Sequence, residues 1–361
     1  KKKGRNKLMR NSLYMDIHVL QTVPPSCVNR DDTGSPKTAF YGGVTRARVS
    51  SQAWKKAMRD DFRKELSADE VGKRTKLLHA LLAEEIRRQD PAADADKLAK
   101  DGLAAAGIKA GAGDKRDALF FVSPGQLTAL AELVLGAEGG KLDKKECQQA
   151  LREHPAVDIA LFGRMVAEEA SLNYDAAAQV AHAISTHAVQ NEFDFFTALD
   201  DCAPEDSMGA AHMDTMEYNS STLYRYATVN VEELARHLGD RTPEAVRTFL
   251  KAFLCSMPTG KRNSYANNTL PDAVYVAIRR DQPLNLAGAF EKPIPAGKDG
   301  YVQPSIAALV RHAKALYRDY LGEPDAAFAI GDGMDALAEL MPMRQVLDAV
   351  QALVAQWREE A

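Results

Sequence analysis

Residues Leu13 to Leu20 alternate strictly, with Leu13, Met15, Ile17 and Val19 on one face and Tyr14, Asp16 and His18 on the other. That is the period-two signature of a half-buried strand. Its neighbours in sequence offer it no partner. From about residue 60 to 190 the chain is rich in Ala, Glu and Lys with helical periodicity and almost no strand signal. Strand patterns return at Leu223–Val231 and Ala273–Ile278, roughly 200 residues onward. A strand so far from its partners requires a sheet closed across a large helical insertion, an α+β arrangement. With the insertion set aside, the order is β-α…β-α-β-like and fits a ferredoxin-like or RNA-recognition-motif core.

Local signals fill in the order. Pro24 and Pro25 are expected to end the first strand, and a loop rich in Asn, Asp, Gly and Thr runs to about Arg48. Ser50 or Ser51 then caps a helix with Trp54, Ala57, Met58 and Phe62 on one side and Gln52, Lys55, Lys56, Arg59 and Arg63 on the other. LLHALLAEEIRRQ, PGQLTALAELVLGA and YDAAAQVAHAISTHAV read as helices, joined by Gly-rich bridges such as AAGIKAGAGDKRD. Thr242-Pro243-Glu244 has the order that opens a helix, and Pro304–Tyr320 and Met343–Trp357 are amphipathic.

The 361 residues suffice for about two domains, or one with a large insertion. No apolar run approaches the ~20 residues needed to span a bilayer, so no membrane partner is expected. Cys27, Cys147, Cys202 and Cys255 are scattered with no C-x-x-C pair, which argues for a reducing cytoplasm and against a zinc site or disulfide framework. Charge is uneven. Residues 1–60 hold 13 Lys+Arg against 4 Asp+Glu, and the rest hold 33 against 46. A mildly acidic chain with its cations gathered in one sixth of its length is expected to meet a polyanion there. The leading KKKGRNKLMR is either a polyanion-holding arm or a solvated tail.

The Ser50–Arg59 segment has a phosphate-binding mechanism available: helix N–H groups, Ser hydroxyls, then Lys55 and Arg59 one and two turns on. Arg46 and Arg48 alternate just before it on the same surface. Contacts of this kind hold a backbone without reading sequence. Phe195-Phe196, a polar loop over 204–211, and the return through His212 and Met213 form a candidate protruding hairpin whose apolar tips could stack on bases. The plainer readings are that Ser50 and Ser51 only cap and that Phe195-Phe196 is core. Enzyme signatures fail. His182 and His187 are five apart, unlike H-E-x-x-H, and Gly331–Ala336 matches G-x-G-x-x-A too near the end of the sequence to open a dinucleotide domain, so it is a turn. Asp200, Asp201, Glu205 and Asp206 could hold Mg²⁺ or form a solvated loop.

IHVLQTVPPSCVNRDD, AFYGGVTRARVSSQAWKKAMR, DIALFGRM, AHAISTHAV, DFFTALDD, YRYATVNV and AFEKPIPAGKDGYVQPSI, in this order from about residue 14 to 320, resemble the CasC family. These are the backbone subunits of the type I-E CRISPR surveillance complex, Cascade. The resemblance implies an RNA-recognition-motif palm (11–60 and 223–361), helical fingers (61–190) and a β-hairpin thumb (191–222). It implies copies polymerised along the spacer of a CRISPR RNA, each thumb displacing one guide base, with target DNA pairing to the segmented guide. The implied partners are the large, small, five-prime-end and guide-processing subunits, and a separate helicase-nuclease that cuts. Carried over motif by motif, Asn29 and Arg30 sit near the guide, and Ser50, Gln52, Lys55 and Arg59 belong to the guide-phosphate helix. Met165 props bases, and Phe195, Phe196 and Met213 are thumb positions. Lys144 and Lys145 resemble a fingers patch that attracts target DNA, and Lys261 and Arg262 are DNA-facing candidates. Val44 and Thr45 stand where the motif is often basic, which thins the phosphate track.

No catalytic residue, metal or other cofactor is expected in a scaffold of this kind. The alternative, from another class, is a metal-dependent ribonuclease like the backbone subunits of type III complexes, for which Asp31, Asp32, Asp200 or Asp201 would be the candidates.

Overall fold

A computed structural model describes residues 12–109, 119–137, 141–198, 212–298 and 300–360. The leading basic residues, the Gly-rich bridge after residue 109 and the acidic cluster at Asp200, Asp201, Glu205 and Asp206 lie outside them. In chain order the strands are β1 (Tyr14–Ser26), β2 (Thr38–Tyr41), β3 (Val44–Val49), β4 (Lys73–Thr75), β5 (Phe120–Val122), β6 (Ala178–Val180), β7 (Ala183–Ser185), β8 (Glu192–Ala198), β9 (His212–Asn230), β10 (Ala273–Arg279) and β11 (Ala326–Ile330). Among the described residues one sheet runs β11-β10-β1-β9-β7-β3-β2, with β6 and β8 also pairing with β9. Helices Ser51–Glu65 and Thr242–Cys255 follow β1 and β9 in sequence. The series β1, helix, β7, β9, helix, β10 is therefore β-α-β-β-α-β with spatial order β10-β1-β9-β7, an antiparallel RNA-recognition-motif-like core.

β1 departs from expectation twice. It continues through Pro24 and Pro25 to Ser26. It is also buried on both faces along most of its length, as the central strand between β10 and β9. Asp16 and His18 are both essentially inaccessible. Tyrosines make this possible: His18 stacks on Tyr226 and Tyr275, with centroids 5.2 and 5.7 Å away, and Nδ1 meets Tyr224 Oη at 2.9 Å. Burial pushes the His18 imidazole down to about 3, so it stays neutral. The expected polar loop up to Arg48 contains the β2–β3 hairpin, turned through Gly42 (φ 60°) and Gly43 (φ 81°).

YDAAAQVAHAISTHAV is not a helix. Its middle supplies β6 and β7. Ser185 Oγ accepts from Ala47 N–H at 3.0 Å and donates to His187 C=O at 2.6 Å, while His187 Nε2 accepts from Thr222 N–H at 3.1 Å. Small polar side chains that complete neighbouring backbones override the alanine-driven helix propensity.

The chain divides into two compact units: 1–58, 180–228 and 250–349 make one, and 59–179, 229–249 and 350–361 the other. Two segments read from sequence as palm thus join the helical unit. The sheet unit packs Leu20, Tyr224, Tyr275, Phe290, Ile306 and Leu309 into one core and Val23, Val49, Trp54, Leu223 and Met257 into another. The helical unit buries Leu82, Ile86, Leu103, Leu130, Val134 and Leu151 from helices that include Leu78–Gln89, Ala95–Ala105 and Pro124–Gly136. It also holds a two-stranded β4–β5 ladder that the sequence pattern did not disclose. No helix among the described residues is long and apolar enough to cross a membrane.

Candidate nucleic-acid interface

Within the sheet unit, the segment after β1 folds back on itself. Lys37 N–H donates to Asn29 C=O at 2.9 Å, and Asp31 Oδ1 accepts from Thr33 N–H, Thr33 Oγ1 and Ser35 N–H, an Asx turn that holds the Asp31 carboxyl below its ordinary range. Asn29 Oδ1 accepts from Ser50 N–H at 2.9 Å, and buried Ser50 Oγ accepts from Ala53 N–H at 3.3 Å. Asn29 and Ser50 therefore position the start of the Ser51–Glu65 helix. Gln52 is exposed beyond them and Lys55 is half-buried. On the opposite side Trp54 lies 3.7 Å beneath the guanidinium of Arg225, itself buried and bonded to Gln21 and to Phe253 C=O. Arg30 is exposed on the adjoining loop.

Two of the expected phosphate ligands are buried. Arg46 is fully enclosed, with its guanidinium on the carbonyls of Tyr41, Ser185 and Phe290 at 2.8–3.1 Å. It ties β3 to its surroundings. Arg59 belongs to the helical unit, where Nε meets Asp158 Oδ2 at 2.7 Å, Nη2 reaches Gly72 C=O at 3.0 Å and the guanidinium stacks on Phe121. Because Arg59 is five residues from Trp54, a drawn wheel sets it opposite the apolar stripe; an inward-facing carboxylate, invisible in the helix's own sequence, claims it instead. Arg48, two residues on from Arg46 along β3, remains accessible: Nε donates to Thr38 C=O at 3.0 Å and Nη1 to His182 Nδ1 at 3.2 Å.

Met165 is 83 % exposed, and the Gly-Arg before it explains how. Gly163 takes φ 76°, and a Cβ there would meet Tyr174 C=O at 2.9 Å. Arg164 is buried between the Phe120 and Tyr174 rings and donates to Leu172, Phe121 and Leu151 carbonyls. Burial lowers its pKa to about 10. An anchored arginine thus projects an unsupported methionine.

β8 and β9 pair from Glu192↔Tyr218 to Ala198↔His212. Phe193 and Phe195 stand on one face, 69 % and 63 % exposed, whereas Phe196 faces the other way and is half-buried. The exposed pair is therefore Phe193/Phe195, and the alternation in EFDFF carried that signal. Met213 and His212 stand opposite Thr197 and Ala198 in backbone register; the loop over 199–211 lies outside the described residues. Ser35 Oγ and Asn191 Nδ2 both donate to Glu217, at 2.9 Å each, tying the hairpin base to the Asx loop.

Lys261 and Arg262 lie close to this region: a Cβ on Gly260 would stand 2.1 Å from Val28 C=O, so their loop is seated on the segment that carries Asn29 and Arg30. Lys261 Nζ approaches Met216 Sδ at 2.9 Å and Arg262 donates to Met257 C=O at 3.0 Å. In the helical unit Lys144 pairs with Glu169 at 2.8 Å. Lys145 lines a cleft of about 470 Å³ with Arg152, Gln148 and His237. Among the described residues no three His, Cys, Asp or Glu side chains gather as a metal site. Lys37, Phe40 (78 % exposed) and His182, none of them singled out as a site residue from sequence, join the accessible surface.

The model of the CT1975-like protein family matches residues 15–356. The chain belongs to this family. Among solved structures, it matches a chain of a "CRISPR RNA-guided surveillance complex, pre-nicking" at 34 % identity and TM-score 0.78, covering 94 % of this chain and 100 % of that one. A chain of a second "CRISPR RNA-guided surveillance complex" matches at 31 % identity and TM-score 0.63, with 94 % and 99 % covered. No curated protein matches.

Proposed function

We propose that this protein is a backbone subunit of a type I-E Cascade complex, acting in the cytoplasm. It binds CRISPR RNA, polymerises along the spacer, presents the guide to target DNA with the other Cascade subunits, and leaves cutting to a recruited helicase-nuclease. The observation that carries this is the match over essentially the whole of both chains to a component of an RNA-guided complex. In this reading the sheet unit is the palm, the helical unit the fingers and the β8–β9 hairpin the thumb. Arg30, Arg48, Gln52 and Lys55 face guide phosphates, supported by the accessible cations beside a helix start that Asn29 and Ser50 fix. Met165, Phe193 and Phe195 contact bases, supported by their exposure without apolar cover. Lys145, Lys261 and Arg262 remain candidates for target DNA. The subunit itself supplies no catalysis.

Co-expression with guides of graded spacer length tests this. Native mass spectrometry is expected to show copy number rising stepwise with spacer length, since each subunit covers a fixed number of nucleotides. A copy number independent of spacer length would overturn the polymerising backbone.

A further inference from the structure

Arg48 Nη1 lies 3.2 Å from His182 Nδ1. A guanidinium has only donors, so Nδ1 accepts and the ring's single proton rests on Nε2. β3 and β7 pair with Arg48 opposite Ile184, which sets Arg48 and His182 on one face of the sheet. Lys37 adjoins, its carbonyl accepting from Arg48 N–H at 2.9 Å. Among the described residues no carboxylate pairs with Lys37, Arg48 or His182. Partial burial first, then the charges of Arg48 from β3 and Lys37 from the segment before β2, hold the His182 imidazole below its ordinary value. Three groups able to carry positive charge, held together on an accessible surface without a counter-ion, make a place for an anion.

We propose that His182, with Arg48 and Lys37, forms a cradle for an RNA phosphodiester, and that His182 takes up a proton when the phosphate arrives. This rests on the RNA-binding reading above. In the free protein Arg48 donates to Nδ1. An incoming phosphate oxygen draws that N–H to itself, Nδ1 accepts a proton from solvent, and the imidazolium completes the charge opposite the phosphate. No bond other than N–H is made or broken, and one proton enters per phosphate seated. Binding should therefore tighten as pH falls through the histidine range, by up to about tenfold per pH unit.

The test uses the full chain and fluorescein-labelled oligouridylate, whose bases do not titrate in the window, by anisotropy at fixed ionic strength from about pH 5.5 to 8. His182→Gln keeps an acceptor for Arg48 but cannot be protonated. It should lose most of the pH slope, so that near pH 5.5 it binds about tenfold or more weaker than the wild type. His182→Lys should bind at pH 8 as the wild type does at acid pH. A wild-type slope retained in His182→Gln, or no gain at pH 8 in His182→Lys, overturns the cradle while leaving RNA binding intact. A steeper slope with oligothymidylate than with oligouridylate would assign the site to DNA and overturn the RNA assignment. Failure of the wild type to bind oligouridylate at any pH would overturn the RNA-binding reading itself.

Discussion

Arg59 and Asp158 form a contact whose removal is informative because both side chains are buried, at 8 % and 0 % exposure. Asp158 also accepts from Gly72 N–H at 2.8 Å, so truncating the arginine strands a carboxylate that the backbone has already enclosed. Arg59→Ala should cost about 3–5 kcal/mol in urea unfolding, and a variant as stable as wild type would show that the pair is not needed. Asp16 behaves differently. Burial raises its pKa to about 6, against hydrogen bonds from Leu284 N–H and Tyr226 Oη at 2.8 and 2.9 Å. A folded-state value above the unfolded one means that the neutral form favours folding at acid pH, and that this contribution is lost as pH rises through about 6. The wild type should lose about 2–3 kcal/mol through Asp16 between pH 4 and 7, and Asp16→Asn should flatten that part of the profile. Equal slopes for the two proteins in urea titrations would remove this assignment.

The β8–β9 ladder carries two phenylalanines on a face with no apolar cover, which a folded monomer has no reason to retain for its own stability. Phe193→Ala and Phe195→Ala should each shift unfolding by less than about 0.5 kcal/mol. In the proposed complex the double variant should weaken target binding and blur the periodic mismatch tolerance that base displacement by the hairpin would produce. If the spacing persists in that variant, the hairpin face is not what displaces guide bases. The Ser51–Glu65 helix illustrates the same scale from the other direction. Its apolar stripe of Trp54, Met58 and Phe62 was legible from periodicity, because burial of large side chains at helical spacing leaves a mark in sequence. Its polar stripe was not uniform, since a wheel cannot distinguish solvated Gln52 from an Arg59 claimed by a carboxylate 99 residues away.

Charge is a property of the whole molecule. Beyond residue 60 the chain holds 33 Lys+Arg against 46 Asp+Glu, so copies brought together without a polyanion should repel, and in the proposed assembly a guide strand would neutralise the basic face of each. Light scattering at moderate salt should therefore find free subunits mostly monomeric, and stable filaments formed without nucleic acid would contradict this. The salt dependence of RNA binding should fall by about one unit in log–log slope for each phosphate contact removed, as with Lys55→Ala.

The sequence by itself determined the α+β class, the long helical interruption, the apolar side of the first helix and the family, since local periodicity and ordered motifs survive without coordinates. The tertiary structure decided what those signals leave degenerate. It turned an alanine-rich stretch into β6 and β7, because neighbouring backbones needed Ser185 and His187. It carried β1 past two prolines, set it between strands distant in sequence and buried both its faces. It also withdrew Arg46 and Arg59 from the surface and left Arg48 and His182 upon it. Whether a cation serves a ligand or a carbonyl depends on which distant groups surround it, and no local pattern encodes those.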